Sequence, residues 1–421
     1  VALQNRIVKE YDQDHPTCTN LIVQAYGVER GVDPWLYGEH IDVVGHDLYP
    51  INHLLKCPWL ASFRLDLAHS WSVHSGNPLW LPEIESGPIG GWVLGPDHYT
   101  TAADIRRYDL EAIGHGGKMI LYQGYREWDQ LPMHWGALID LDGEPTERYY
   151  AAKDINTMVL ENHDLFAEAK PVSAEVAILY DQANATAVYG MDALEFMDRS
   201  LQGVYRAFWY EGVPVEFVTS KLLSQGAWSK YRMIVMPFMM LVSKACGKFL
   251  ADFFDKGGTL IGFAKCAMLD ERSWYWHQRP GAGLSEVFGL EEIRIRPEKN
   301  VAIKPSPDAE LFKCVDGAIK GYWHRQDFVL LGGTEILARF SDGAQAVTRH
   351  QLGQGSAYYF GTHFDIATLL NDGAGHQQVW RNIFRIHDVR PSFKFEGDQL
   401  VDPHLLVKED KHLCVLANHS S

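Results

Sequence analysis

Paired cysteines are what this chain most plainly lacks. Its six cysteines, Cys18, Cys57, Cys246, Cys266, Cys314 and Cys414, lie far apart with no CxxC pair. Neither a zinc knuckle nor a disulfide-dense scaffold is indicated, and a reducing compartment is the default. Long apolar runs are missing as well: nothing approaches the roughly 18 residues of a membrane-spanning helix. The opening VALQNRIVKEYDQDHP has neither a basic leader nor an apolar stretch. A cytoplasmic location without a membrane partner is therefore expected. Positive charge is also short, 38 Lys+Arg against 54 Asp+Glu for a net −16, which argues against nucleic acid or anionic surfaces as partners.

What the chain does have is length and apolar content. Its 421 residues, 46% hydrophobic and 22% charged, suggest two to four globular domains at roughly 100–200 residues each. Thirteen Trp, 19 Tyr and 19 Phe form an aromatic surplus that fits stacking on flat apolar faces, although aromatics most often serve the core.

Residues 1–165 alternate short apolar runs with helical stretches, the rhythm of βα units. Four strands are predicted, at Thr19–Ala25, Ile41–Asp47, Leu79–Ile84 and Lys118–Gly124, each ending in a polar or aromatic cluster. A helix over Thr101–Gly114 places Ile105, Tyr108 and Ala112 on one face. Polar groups at strand C-termini are how a (β/α)8 barrel builds its site, but a barrel needs eight units and about 250 residues. Only half of one is expected. After a break at Phe166–Ser173 a second α/β rhythm begins at Glu175, predicting an open, mostly parallel sheet with helices on both faces. The tail from Phe393 alternates like β structure and is too short for a core of its own.

Three clusters at predicted strand ends carry candidate chemistry. In Trp80-Leu-Pro-Glu83-Ile-Glu85-Ser-Gly-Pro88 two carboxylates flank a strand end, either as a solvated acidic loop or as the carboxylate that glycoside hydrolysis requires. Gln123-Gly-Tyr125-Arg126-Glu127-Trp128-Asp129, followed by His134-Trp135, mixes donors with aromatics in the manner of a sugar pocket. Arg126 equally suits a plain ion pair with Glu127 or Asp129. Val44-Gly-His46-Asp47-Leu-Tyr49-Pro50 holds a His-Asp pair that reads as structural, because no further ligand sits at metal spacing. Asn20 is open between a turn residue and a ligand. Neither a metal nor a cofactor is expected.

Taken in order, TCTNL, DVVGHDLYP, LWLPEIESGP with Trp92, and ILYQGYREWD with HWGALIDLDGEP resemble the second half of the barrel of the family 42 glycoside hydrolases, which are β-galactosidases. The later segments are similar to that family's glutamine-amidotransferase-like trimerisation domain and to the start of its C-terminal β domain. The resemblance implies an α/β chain: residues 1–165 the C-terminal half of a (β/α)8 barrel, 174–388 a flavodoxin- or amidotransferase-like domain, and 389–421 the opening of a β domain. It further implies a homotrimer acting on β-galactosides by a retaining mechanism, with Glu83 as nucleophile and Asn20, Tyr49, Trp92, Arg126 and His134 as substrate ligands. Glu85 takes a neighbouring polar position.

The pattern departs from the family in places. The Asn-Glu pair carrying the acid/base glutamate has no counterpart here and is expected upstream of residue 1, which makes this chain an interior fragment with little hydrolysis of its own. Leu131 stands where the family has a Glu, a role that Glu127 is the candidate to fill. Cys246, in LVSKACGKFLADFF, is expected to be a buried helix residue and not a nucleophile. The rival reading is a galactoside-binding or assembly protein that does not cleave.

Overall fold

The computed structural model describes every residue except 22–27, 29–30, 51–56, 92–94, 97–98, 129–135, 372–373, 395, 397–399 and 420–421. Its chain divides into two compact units, one of residues 1–27, 31–173 and 392–421, the other of 28–30 and 174–391.

The first unit is built on four parallel strands, β1 (Cys18–Leu21), β2 (Val43–Leu48), β3 (Leu79–Glu85) and β4 (Gly117–Gln123), lying side by side in chain order. Helices α1 (Trp59–Ser75) and α2 (Ala102–Gly114) connect β2 to β3 and β3 to β4, and α3 (Glu147–Glu161) follows β4. All six residues of β2 are buried, as a parallel strand covered on both faces requires. Gly45 is fixed by its neighbour, since a Cβ there would come 2.4 Å from the Thr19 carbonyl oxygen. Helix α2 starts where the sequence predicts, because Thr101 and Asp104 cap each other's backbone amides reciprocally. Ile105, Tyr108 and Ala112 are buried on its inner face.

In the tail, Val401–Lys408 and Lys411–Asn418 form a hairpin within the first unit, antiparallel to Lys170–Pro171. Leu406 and Val415 bury themselves against Ile113 and Ile155. That apolar contact is why thirty residues without a core of their own hold a defined conformation.

The main sheet of the second unit has nine strands: β5 (Val176–Leu179), β6 (Val215–Val218), β7 (Met233–Met236), β8 (Thr259–Phe263), β9 (Ala302–Pro305), β10 (Ile319–Lys320), β11 (Thr334–Phe340), β12 (Gln345–Leu352) and β13 (Gly355–Phe360). Their spatial order is β10-β9-β11-β12-β13-β8-β7-β5-β6. From β13 to β6 all four pairings are parallel. From β10 to β13 all four are antiparallel. The expected mostly parallel sheet is thus corrected to a mixed one, because the strand-rich later segment adds on by hairpins and not by crossover helices. The five parallel strands alone run in the doubly wound order 2-1-3-4-5.

Helix α4 (Leu194–Trp209) buries Leu201, Val204, Tyr205 and Phe208 at helical spacing. In α5 (Lys244–Asp255) the buried stripe is Cys246, Leu250, Phe253 and Phe254. Ser243 caps that helix, and Gly257 at φ 98° ends it in the left-handed region where a glycine costs least.

Candidate active site

The chemistry-bearing residues of the first unit gather at the C-terminal ends of β1, β2 and β3. Asn20 lies in β1, Asp47 in β2 with Tyr49 one residue beyond it, and Glu83 in β3. Strand register sets Asp47 beside Glu83. Asn20 Nδ2 donates to Glu83 Oε2 at 3.3 Å. Asp47 is buried, and its carboxyl is pushed up to about 8, first by loss of water and then by the hydrogen bond and negative charge of Glu83; Asn20 opposes the shift. A like charge beside a buried carboxyl disfavours its ionised form. Burial, and after it the negative charge of Glu83, raise the Tyr49 phenol far above its ordinary value. Three neighbouring side chains therefore converge on one carboxylate.

Glu85, two residues on, turns to different company. It is fully buried and accepts from Thr100 Oγ1 at 3.1 Å. Thr100 in turn sits beside Arg148, wholly buried at the start of α3. Arg148 donates to Tyr99 Oη at 2.7 Å and to the Ala137 carbonyl at 3.0 Å, and it pairs with Asp140. The guanidinium thereby ties residues 99–100 to residues 137–140. The backbones at Gly87 and Gly136 also meet: Gly136 N–H donates to the Pro88 carbonyl at 2.9 Å, and a Cβ on Gly87 would fall 2.3 Å from Ala137 N.

Among the sequence-predicted site residues, Asn20 and Tyr49 are brought to Glu83. Arg126 is exposed, and its Nη2 donates to the Leu141 carbonyl at 3.1 Å. Trp92 and His134 lie outside the described residues, as does Leu131. His46 and Asp47, read as a structural pair, separate because successive strand residues face opposite sides of a sheet. His46 Nδ1 bonds to the Leu21 carbonyl at 3.1 Å, and complete burial holds the ring neutral with a pKa of about 3. The sequence already offered Asp47 with His46 as a possible acid/base pair; the period-two alternation parts the two and brings Asp47 beside Glu83. Arg148 gave no local signal at all.

In the second unit Cys246 lies in the first turn of α5, 2% exposed, with its thiol pushed far up by burial. Such a sulfur is not an activated nucleophile. No helix among the described residues is long and apolar enough to cross a membrane.

Carboxyls and donors collected at the carboxyl ends of parallel strands define a ligand site of the kind that βα-repeat enzymes carry. Residues 1–161 match the family model described as β-galactosidase, and residues 174–388 match the model described as the β-galactosidase trimerisation domain. The chain belongs to the family 42 glycoside hydrolases. Curated relatives include β-galactosidase Pbg of Clostridium perfringens, 24% identical over 85% of this chain and 52% of its own length. Another is β-galactosidase GanA of Bacillus subtilis, 25% identical over 86% of this chain and 54% of its own. The chain thus spans about half the length of the curated relatives it matches. The solved β-galactosidase of Rahnella sp. R3 superposes with a TM-score of 0.85 at 20% identity, over 100% of this chain and 61% of that one. That of Bacillus circulans sp. alkalophilus gives 0.81 at 18% identity, over 98% and 59%.

Proposed function

We propose that this chain carries the nucleophile of a retaining β-galactosidase, with Glu83 attacking the anomeric carbon. The observation that carries the reading is the convergence of Asn20, Asp47 and Tyr49 on that one carboxylate. As the Glu83 oxygen bonds to the anomeric carbon, the bond to the leaving oxygen breaks, and that oxygen takes a proton from a second carboxylic acid. Water then displaces the ester with a second inversion. Retaining chemistry sets the two carboxyls about 5–5.5 Å apart across the sugar. Asp47 stands beside Glu83 on the adjacent strand and not across a sugar from it, while Glu85 is engaged by Thr100. The acid is assigned to a segment outside this sequence, and the activity to the whole protein.

Substrate contacts are assigned to Asn20, Tyr49, Trp92, Arg126 and His134. Residues 1–165 are read as the second half of a (β/α)8 barrel, supported by four parallel strands in chain order. Residues 174–388 are read as a flavodoxin- or amidotransferase-like homotrimerisation domain, supported by the 2-1-3-4-5 order and the matched family model. Residues 389–421 are read as the opening of a C-terminal β domain. All six cysteines are free thiols, which supports a cytoplasmic setting.

A 2-deoxy-2-fluoro-β-galactoside tests the assignment in the full-length protein. The label is expected on the peptide carrying Glu83. Label on Glu85, or galactoside binding with no label anywhere, overturns it, the second result favouring a binding protein.

A further inference from the structure

On the first unit, away from Glu83, imidazoles and carboxylates from α1, α2 and the terminal hairpin meet. His115 is the C-cap of α2. Asp402 and His404 stand two apart on the first hairpin strand and so share a face. The His115 and His404 rings lie 4.1 Å apart between centroids. Gly114 makes room for them, since a Cβ there would come 2.7 Å from the His404 ring.

The distances are informative. A ring nitrogen of His115, a ring nitrogen of His404 and a carboxylate oxygen of Asp402 all lie within 4.8 Å of one another. His404 Nε2 is 3.0 Å from Asp402 Oδ2, and His115 Nε2 is 3.8 Å from the same oxygen. The second separation is too long for a hydrogen bond. It leaves His115 Nε2 without a hydrogen-bond partner although the side chain is only 2% exposed. Ligands bound at the zinc distances of about 2.0–2.2 Å around a tetrahedron stand roughly 3.3–3.6 Å apart, and the two observed distances bracket that.

The surrounding bonds point the same way. Asp66 Oδ1 lies 2.5 Å from His115 Nδ1. That bond fixes the ring with Nε2 facing Asp402, the carboxylate–histidine arrangement that orients metal ligands; against burial, Asp66 and Asp402 push the ring up to about 10, so a metal ion would bind by displacing the Nε2 proton. Ser62 Oγ donates to Asp402 Oδ2 at 2.5 Å and fixes the carboxylate.

We propose that His115, Asp402 and His404 form a binding site for a divalent transition metal of the zinc type, pinning the terminal hairpin to the end of α2. Two imidazoles and one carboxylate suit Zn²⁺ or Co²⁺ and leave a fourth position for water. This departs from the expectation of no metal. The ligands come from opposite ends of the sequence, so no local spacing announces them.

The test uses the chelator-treated 421-residue chain titrated with Zn²⁺, then with Co²⁺. The expected result is one equivalent bound per chain, a Co²⁺ visible spectrum of low-coordinate type, and an unfolding midpoint that climbs with the logarithm of free Zn²⁺. His404→Gln, near the rim of the cluster, is expected to lose the spectrum and the zinc-dependent shift while still folding. Asp402→Asn gives the same readout at the buried carboxylate. No stoichiometric uptake overturns the site, and so does uptake unchanged in His404→Gln.

Discussion

Tyr49 shows most simply what the site asks of single side chains. Its ring is half-buried, and after burial the Glu83 charge is what acts most on its phenol. A hydrogen bond made to that charged group in the working site would be worth about 1.5–3 kcal/mol, roughly 10- to 150-fold. In the full-length protein, Tyr49→Phe is expected to lower kcat/KM by that factor, and Asn20→Ala to act in the same direction. Wild-type kinetics in both variants would remove them from the site. Asp47 gives a pH prediction. Its carboxyl, raised from 3.8 to about 8, keeps a proton in the folded chain that the unfolded chain has already released. Between about pH 4 and 8 the native state binds more protons, so this group's contribution to stability falls as pH rises and levels off above about 8. Urea unfolding across pH 5–8 is expected to show wild type losing ground to Asp47→Asn as pH rises. A constant difference between the two contradicts the retained proton.

At the scale of elements, the links are capped helices and touching backbones. Thr101→Ala removes one half of the reciprocal cap on α2 and is expected to cost about 0.5–2 kcal/mol by denaturant unfolding. Arg148→Met matters more, because it leaves the Thr100 and Ala137 carbonyls without their cationic donor and Asp140 without its partner. Asp140 keeps 37% of its side chain exposed, so the cost is set below the about 3–5 kcal/mol of a fully buried pair. Thermal unfolding of Arg148→Met within 1 °C of wild type would show that the network is dispensable. These elements also show how far the sequence could be read. Leu79–Ile84 was predicted as a strand and Leu79–Glu85 is found; Thr101–Gly114 was predicted as a helix and Ala102–Gly114 is found. Both follow from local pattern, alternation in one and helical spacing with a cap in the other. The antiparallel half of the second sheet and the seating of the tail were not readable in that way. Each depends on which distant apolar face a strand covers, as Leu406 and Val415 do with Ile113 and Ile155.

For the whole molecule, the second unit's match to a trimerisation model carries a measurable expectation. Light scattering of the full chain is expected to give about three times the monomer mass, and a monomer at micromolar concentration would count against assembly through residues 174–388. By itself the sequence determined the βα rhythm, the acidic and aromatic balance, the ordered motifs that tie the chain to its family, and Glu83 as the residue of interest. Those are properties of neighbours along the chain, where period and residue type suffice. Only the tertiary structure decided that Asp47 lies beside Glu83, that Arg148 ties residues 99–100 to 137–140, and that His115 meets Asp402 and His404. Each joins groups from separate strands and helices, and their chemistry arises from burial and proximity that no local stretch of sequence contains.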